Sequence, residues 1–332
     1  MQRIGIIGAG AWGTTLAMVA RRAGRDVTLQ AHEPEVADAI NDRHVNETYL
    51  PGIQLDPAIR ATTDAAEASR ADVVLLVAPA QHLRGICRRL GRRWPAGVPA
   101  VICAKGIEQD TAALLSEVVA ETLPDAPIAV LSGPTFAAEV ARGLPTAVTL
   151  AAGDANLGKL LAAALGTPRF RTYRSEDVIG TQIGGAVKNV LAIACGIVEG
   201  RGLGDNTRAA LITRGLAEIV RLGIAKGARP ETLMGLSGIG DITLTCNAMQ
   251  SRNFSLGVAL GKGESLEAVL GARRSVAEGV FSAAAVADLA KKLNVDMPIC
   301  FAVDAVLNRG ADIDAAIAGL LSRPVKAELD MF

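Results

Sequence analysis

Several residue types and patterns are scarce in this sequence of 332 residues. Aromatic residues make up only 3% of it, so aliphatic side chains must fill the cores of the fold. The formal net charge is zero and no basic run is long, which argues against nucleic acid or an anionic membrane surface as a partner. The five cysteines include no Cys-x-x-Cys pair, and the three histidines show no metal-ligand spacing. We therefore expect neither a disulfide framework nor a bound metal.

Signals for export and for membrane insertion are also missing. Met1 leads directly into an apolar run at Arg3, without a charged leader or a small-residue cleavage site. No apolar run is expected to reach the roughly 18 residues of a membrane span. These observations predict a soluble, cytoplasmic protein with no stable membrane insertion.

What is present begins with a glycine-rich motif. Residues 3–7 form a short apolar run, Gly8-Ala-Gly-Ala-Trp-Gly13 follows at once, and a helical pattern starts at Thr14. A strand, G-x-G-x-x-G and a helix in this order are typical of dinucleotide-binding loops, where a pyrophosphate lies on the helix N-terminus. The alternative is a glycine-rich turn with a purely structural role. We predict a dinucleotide-binding loop that includes Gly8, Gly10 and Gly13.

The end of the second predicted strand bears on the choice of cofactor. An acidic residue at this point favours the free ribose 2′-hydroxyl of NAD(H). Here the strand ends in Ala31-His32-Glu33, with no acid at the tip itself. His32 could accept a 2′-phosphate, whereas Glu33 fits equally well as a ribose acid or as the cap of a helix over 34–41. The pattern leaves both cofactors open and favours NADP(H).

The remainder of the first half alternates strands and helices. Further strands are predicted at residues 73–77, 100–104, 128–131, 146–151 and 170–173. This alternation predicts a doubly wound (Rossmann-type), mostly parallel sheet that binds ligands at the carboxyl ends of its strands. Lys105 and the turn at 132–136 follow such strands. A solvated loop lysine and ordinary turn chemistry are the alternatives.

After Tyr173 no strand pattern survives, and the second half is predicted to be helical. Its first helix, within residues 180–202, is apolar but contains Gly184, and each glycine costs about 1 kcal/mol relative to alanine. Such a cost is accepted where another group must approach the backbone closely. Lys188 lies one turn later. Because the chain has 26 Arg and only 8 Lys, a lysine here favours a role that needs loss of a proton; the alternative is a lysine that snorkels to the surface.

Two later segments are polar in an otherwise helical half. Gly238-Ile-Gly-Asp241 is too rich in glycine for a helix interior. Asp241 either belongs to a site or caps a helix that starts at Ile242. In Ser251-Arg-Asn253 an arginine stands between two small hydrogen-bonding residues, as in a phosphate clamp; the alternative is a surface arginine on a helix.

Taken together and in order, these motifs resemble those of the bacterial NAD(P)-dependent sn-glycerol-3-phosphate dehydrogenases. The resemblance extends from residue 8 to residue 279, nearly the whole chain. It rests on Gly8-Ala-Gly-Ala-Trp-Gly13, Tyr49-Leu-Pro-Gly52, Lys105-Gly106, Ser132-Gly-Pro-Thr-Phe136, Gly185-Ala-Val-Lys-Asn189, Gly238-Ile-Gly-Asp241, Ser251-Arg-Asn253 and Glu278-Gly279.

The resemblance implies a dinucleotide-binding domain over residues 1–178 and an all-helical substrate domain over 179–332. It implies reversible reduction of dihydroxyacetone phosphate to sn-glycerol 3-phosphate with NADP(H) or NAD(H), which feeds glycerophospholipid synthesis. The catalytic residues would be Lys188, Lys105 and Asp241. The substrate contacts would be Lys105, Gly133, Thr135, Lys188, Asp241, Ser251, Arg252 and Asn253. The cofactor contacts, beyond the glycine loop, would be Ala11, Trp12, His32, Tyr49, Lys105, Ala137, Arg252, Val276 and Glu278.

Two other functions remain open at this point. A 3-hydroxyacid dehydrogenase of the same broad fold would also use a helix-borne Gly-x-x-x-Lys, but with Asn one turn after the lysine, where this sequence has Ala192. A non-catalytic NAD(P)-sensing module would need neither a proton donor nor a phosphate clamp. The sequence does not determine the oligomeric state, and a homodimer stays open.

Overall fold

The computed structural model describes residues 1–271, 278–325 and 327. The chain divides into two compact units, the first made of residues 1–104 and 115–178, the second of residues 105–114 and those from 179 onward. The sequence placed residues 105–114 in the first domain, and the structure places them in the second unit. The reason is packing, because Ile107 and Leu114 are buried in the helical core of that unit.

The first unit is built on an eight-stranded sheet with the strand order β3-β2-β1-β4-β5-β6-β7-β8. All neighbouring strands pair in parallel except β6 and β7, which are antiparallel. The predicted mostly parallel sheet is therefore confirmed. The strands are β1 (Arg3–Ile7), β2 (Asp26–Gln30), β3 (Ile59–Thr62), β4 (Val73–Leu76), β5 (Ala100–Ile102), β6 (Ile128–Ser132), β7 (Thr146–Ala152) and β8 (Phe170–Ser175).

Helices cover both faces of this sheet. Alternate residues of β4 belong to different cores: Val73 and Leu75 pack in one cluster, Val74 and Leu76 in another. This two-sided burial explains why the strand is a continuous aliphatic run. The helices are α1 (Ala11–Arg22), α2 (Pro34–Arg43), α3 (Ala65–Ser69), α4 (Leu83–Leu90), α5 (Leu115–Thr122), α6 (Ala137–Ala141) and α7 (Ala155–Leu165), with 3-10 turns at Ala80–His82 and Gly91–Arg93.

From residue 179 onward, the secondary-structure elements of the second unit are all helices in the part that the structure describes, as predicted. A π-helical turn at Leu236–Gly240 interrupts the series of α-helices. The helices are α8 (Val178–Gly200), α9 (Asp205–Lys226), α10 (Pro230–Leu233), α11 (Asp241–Thr245), α12 (Arg252–Gly261), α13 (Leu266–Gly271), α14 (Glu278–Lys292), α15 (Pro298–Asn308) and α16 (Ile313–Leu321).

The long helix α8 corrects one expectation from the sequence. It has 23 residues and a mean hydropathy of 1.4 over its most apolar window, which is long and apolar enough to cross a membrane. The expectation that no apolar segment reaches that length is therefore wrong. However, 89% of this window is buried within the fold, so α8 is a core helix by its packing.

The glycines of α8 are explained by the close approach of other backbones. A Cβ atom on Gly184 would lie 2.3 Å from the carbonyl oxygen of Ser237, and one on Gly196 would lie 2.1 Å from that of Phe254. The approach is mutual, since a Cβ on Gly257 of α12 would lie 2.1 Å from the carbonyl oxygen of Ile193. The predicted close contact is thus observed, and it holds α12 and the π-helical turn against α8.

Candidate functional site

The glycine loop of the first unit has the geometry of an anion-binding turn. Gly8 has φ +109°, and a Cβ on Gly13 would lie 1.8 Å from the carbonyl oxygen of Gly8, so both positions require glycine. A Cβ on Gly10 would meet nothing within 4 Å. Helix α1 starts after Gly10 with no side-chain cap and no acidic residue in its first turn. The N–H groups of that turn, at Ala11 and Trp12, therefore fit the phosphates of a dinucleotide.

A buried asparagine that the sequence analysis missed supports this loop. The Nδ2 group of Asn46 donates to the carbonyl oxygen of Ala9 and to Oγ1 of Thr14, each at 2.8 Å. Its Oδ1 accepts from the backbone N–H of Tyr49 at 3.2 Å. Asn46 thus connects the loop to the segment that carries Tyr49, and no pattern in the sequence marks it.

The structure also shows the surroundings of residues 31–33, which follow β2 and bear on the choice of cofactor. His32 is exposed and Ala31 is fully buried. Glu33 occupies the N-cap position of α2, but its side chain makes no capping bond. It accepts a hydrogen bond from the Tyr49 hydroxyl at 2.8 Å, and this bond raises the pKa of Tyr49. Glu33 is therefore the N-cap residue of α2 by position, although its carboxylate makes no capping bond, and its role as a ribose acid stays a prediction.

The turn after β6 is held close to its neighbours in the first unit. Gly133 has φ +148°, and a Cβ there would lie 3.0 Å from Cα of Val148. Oγ1 of Thr135 donates to the carbonyl oxygen of Gly133 at 3.3 Å. The next helix is tied to α1, because Oγ1 of Thr15 donates to the carbonyl oxygen of Ala137 at 3.1 Å. Residues 133–135 therefore form a hydrogen-bonded turn that requires glycine at position 133. Ala137 lies beside α1, the helix that follows the glycine loop.

Two lysines and one aspartate form a buried cluster in the second unit. Nζ of Lys105 lies 2.5 Å from Oδ2 of Asp241, and Nζ of Lys188 lies 3.0 Å from Oδ1 of the same carboxylate. Asp241 is fully buried and Lys188 is 8% exposed. The side chain of Lys105 is 17% exposed. Lys188 therefore does not snorkel to the surface, and Lys105 is not a solvated loop lysine.

The backbone explains how these groups meet. Gly184 lets the π-helical turn approach α8, and Lys188 follows one helical turn later. Helix α11 starts at Asp241 itself, directly after the π-helical turn, with Gly240 at the N-cap. The alternative in which Asp241 caps a helix from Ile242 is therefore wrong. Rare π-helical turns are often found at functional sites.

Burial and charge shift the pKa of both central groups. The pKa of Lys188 is lowered to about 8: burial is the largest cause, Asp241 opposes the shift, and the positive charge of Lys105 contributes to it. Burial alone would raise the pKa of Asp241, but the ammonium groups of Lys105 and Lys188 keep it below its ordinary value. The result is a carboxylate that stays ionised beside a lysine able to exchange its proton near neutral pH.

Thr245 completes the cluster and was missed in the sequence. Its Oγ1 accepts a hydrogen bond from Nζ of Lys188 at 2.8 Å and donates to Oδ1 of Asp241 at 3.1 Å. Thr245 lies four residues after Asp241 in α11, so both side chains share one helix face. This spacing is the signal that could have identified it.

The residues of the predicted phosphate clamp, Ser251-Arg-Asn253, lie at the N-terminus of α12. Arg252 is its exposed first residue, and its first turn contains no acid. Oγ of Ser251 caps the helix by accepting from the N–H of Phe254 at 3.2 Å. A helix N-terminus that bears an arginine and no acid favours an anion.

Asn253 is held by protein contacts on both sides of its amide. Its Nδ2 donates to Oδ1 of Asn189 at 2.9 Å, and its Oδ1 accepts from the N–H of Gly279 at 3.0 Å. These bonds tie α12 to the residue after Lys188 and to the start of α14, where Glu278 lies. The predicted cofactor contact Val276 lies outside the described residues.

Comparison with known proteins identifies relatives along the whole chain. Residues 3–158 match the family described as NAD-dependent glycerol-3-phosphate dehydrogenase N-terminus, and residues 177–318 match its C-terminus. The glycerol-3-phosphate dehydrogenase (NAD(P)+) of Rhodospirillum rubrum is 61% identical over 99% of this chain and 94% of its own. That of Caulobacter vibrioides is 58% identical over 98% and 99%.

Solved structures agree with these sequence relatives. The crystal structure of glycerol-3-phosphate dehydrogenase from Coxiella burnetii is 40% identical, with a TM-score of 0.93 over 97% of this chain and 99% of its own. A glycerol-3-phosphate dehydrogenase of Saccharomyces cerevisiae is 28% identical, with a TM-score of 0.83 over 97% and 99%.

Proposed function

Because the chain belongs to the NAD-dependent glycerol-3-phosphate dehydrogenase family, we propose that it catalyses the reversible reduction of dihydroxyacetone phosphate to sn-glycerol 3-phosphate with NAD(P)H. The observation that carries this proposal in the structure is the buried cluster of Lys188, Asp241, Lys105 and Thr245. The reaction needs a proton at the carbonyl oxygen, and the cluster contains a proton donor of suitable pKa.

Lys188 is the proton donor in reduction and the acceptor in oxidation. With a pKa lowered to about 8, its ammonium releases a proton far more readily than that of a free lysine, whose pKa is about 10.4. Thr245 accepts a hydrogen bond from Nζ of Lys188, and Asp241 forms an ion pair with it. Together the two interactions fix the position of the ammonium group. Lys105 holds the other oxygen of Asp241 and completes the charge balance.

Substrate recognition is assigned to the N-terminus of α12. Arg252 can form two parallel hydrogen bonds with a phosphate, and the backbone N–H groups of the first helical turn add to the anion site. Ser251 and Asn253 shape this end of the helix through the cap and the amide bonds described above. Gly133 and Thr135 keep their predicted substrate roles as part of the proposal.

The glycine loop is assigned to the cofactor. Its open side at Gly10 and its uncapped helix fit a pyrophosphate. When bound, the nicotinamide supplies the hydride for the carbonyl carbon. His32, Tyr49, Ala137, Arg252 and Glu278 keep their predicted roles as cofactor contacts, and exposed His32 favours NADPH.

The alternatives differ in what they require. A 3-hydroxyacid dehydrogenase needs the proton donor but no phosphate clamp, whereas a sensing module needs neither. The protein is further proposed to act in the cytoplasm, where its product feeds glycerophospholipid synthesis.

A direct assay tests this function. Mixing the protein with NADPH and dihydroxyacetone phosphate should consume NADPH, and Lys188→Met should lower turnover by about 10² to 10⁴, the usual contribution of general acid–base catalysis. Lys159→Met, which removes an exposed lysine of α7, should leave turnover unchanged. Reduction of 3-oxoacids but not of dihydroxyacetone phosphate would contradict the proposal, and so would turnover of Lys188→Met within a few-fold of the parent.

A further inference from the structure

A cavity of about 360 Å³ lies in the first unit at the C-terminal end of α1. Its floor is apolar, with Val19, Val140 and Phe170 all buried. A volume of this size is in the range of small-ligand pockets. The function proposed above makes no use of it.

The rim of this cavity is basic. Nη1 of Arg22 donates to the carbonyl oxygen of Val140 at 2.8 Å, and its Nη2 donates to that of Ala141, so the guanidinium covers the end of α6. Nη1 of Arg169 donates to the carbonyl oxygen of Gly143 at 3.2 Å. These bonds neutralise the carbonyl oxygens that would otherwise repel an anion and leave other N–H groups of both arginines for a ligand.

A third arginine lines the same cavity. Arg142 is exposed, and it makes no side-chain hydrogen bond or ion pair with any residue that the structure describes. None of the ten lining residues, all of them described, is acidic. Three guanidinium groups without a lining carboxylate form a site for an anion, and their planar forks match the geometry of phosphate oxygens.

From these observations we propose that the cavity binds a small phosphate ester that carries a compact apolar group. The arginines take the phosphate, and the apolar group lies on Val19 and Phe170. Leu144, which lines the cavity and is 46% exposed, gives it a further apolar contact.

This site is separate from the glycine loop. The loop precedes Ala11 at the start of α1, whereas Arg22 is the last residue of the same helix. With a rise of about 1.5 Å per residue, the two ends are roughly 16 Å apart. A ligand here would bind in addition to the dinucleotide.

Calorimetric titration with phenyl phosphate tests the proposal, with NADPH and glycerol 3-phosphate both saturating so that the reaction site is filled. The parent protein should bind phenyl phosphate saturably and more tightly than inorganic phosphate. The double variant Arg142→Gln/Arg169→Gln should weaken binding by about tenfold or more, because charge-assisted bonds to phosphate are lost. Arg174→Gln, which removes one exposed charge from β8 outside the cavity, should keep the affinity within about twofold.

Three results would overturn the proposal. They are no saturable binding, saturable binding that occurs only when NADPH and glycerol 3-phosphate are left out, and equal weakening by Arg174→Gln. Inorganic phosphate that binds as tightly as phenyl phosphate would overturn the assigned role of the apolar floor. The melting temperature of each variant should match that of the parent, since the replaced side chains are exposed.

Discussion

The charge of Asp241 should set the pH range in which the enzyme works, and Asp241→Asn tests this with almost no change in shape. The variant removes the negative charge that lies 3.0 Å from Nζ of Lys188 and leaves the positive charge of Lys105 nearby. Asp241 is the group that opposes the fall in the Lys188 pKa. Its removal should therefore lower the pKa of Lys188 below about 8.

The size of this shift follows from the distance. At an effective dielectric constant of about 20, two unit charges 3.0 Å apart attract by about 5 kcal/mol. One pKa unit corresponds to about 1.4 kcal/mol, so even a quarter of this attraction would lower the pKa of Lys188 by about one unit. In the proposed mechanism, reduction needs Lys188 in its protonated form. Its rate should accordingly fall as pH rises through the pKa, and the midpoint of this fall should move to lower pH in the variant.

The assay is kcat/KM for dihydroxyacetone phosphate, measured from pH 5.5 to 9.5 with saturating NADPH. The alkaline midpoint of Asp241→Asn should lie at least about one pH unit below that of the parent, and the loss of rate should be larger at pH 8 than at pH 6. Thr245→Val is the matched control, because it removes a hydrogen bond to Lys188 but no charge. An unchanged or higher midpoint in Asp241→Asn would refute the electrostatic role assigned to this carboxylate.

Three further predictions concern the phosphate, the cofactor and the packing of α8. Arg252→Leu should raise the KM for dihydroxyacetone phosphate steeply and change the use of unphosphorylated dihydroxyacetone much less, and Arg252→Lys should already impair binding; equal proportional losses on both substrates at saturating NADPH would contradict this. The parent should use NADPH at least as well as NADH, and His32→Asp should shift the ratio of kcat/KM values toward NADH by repelling the 2′-phosphate; an unchanged ratio would remove His32 from the cofactor site. Gly184→Ala places a Cβ 2.3 Å from the carbonyl oxygen of Ser237, so it should lower both melting temperature and turnover, whereas Gly158→Ala in α7, with its nearest atom at 3.9 Å, should lower neither.

The fold was largely predictable because its signals are local. The glycine loop needs a positive φ at Gly8 and contact without a side chain at Gly13, and both requirements are visible as residue types. Strands buried on both faces, such as β4, appear as continuous aliphatic runs. Lys188 of α8 was also identified from its local context, because a lysine in a glycine-rich apolar helix has few structural explanations.

What the sequence could not provide depends on contacts between distant segments. Residues 105–114 follow a strand of the first unit and yet pack in the second, because Ile107 and Leu114 fill its core. Thr245 and Asn46 gain their roles from contacts that form only in the folded chain. Thr245 accepts a hydrogen bond from Lys188, and Asn46 donates one to the carbonyl oxygen of Ala9. Glu33 lies at the N-cap of α2, but its carboxylate accepts a hydrogen bond from Tyr49, sixteen residues away, and makes no bond to the first turn of the helix.

The buried cluster contains two lysines and only one carboxylate, and this imbalance of charge bears on both its stability and its proposed catalytic role. Two lysines share one carboxylate, so the cluster carries one positive charge more than it neutralises when both lysines are protonated. An unbalanced buried charge is costly unless a partner offsets it. A neutral Lys188 would remove the imbalance, which is consistent with its lowered pKa. In the proposed reaction, the negative charge that develops on the carbonyl oxygen offsets the extra positive charge, and transfer of the Lys188 proton leaves Lys105 and Asp241 as a balanced pair. The cluster is therefore less favourable before the reaction than at the point where the oxyanion forms, and this difference is the condition under which a protein group lowers a barrier.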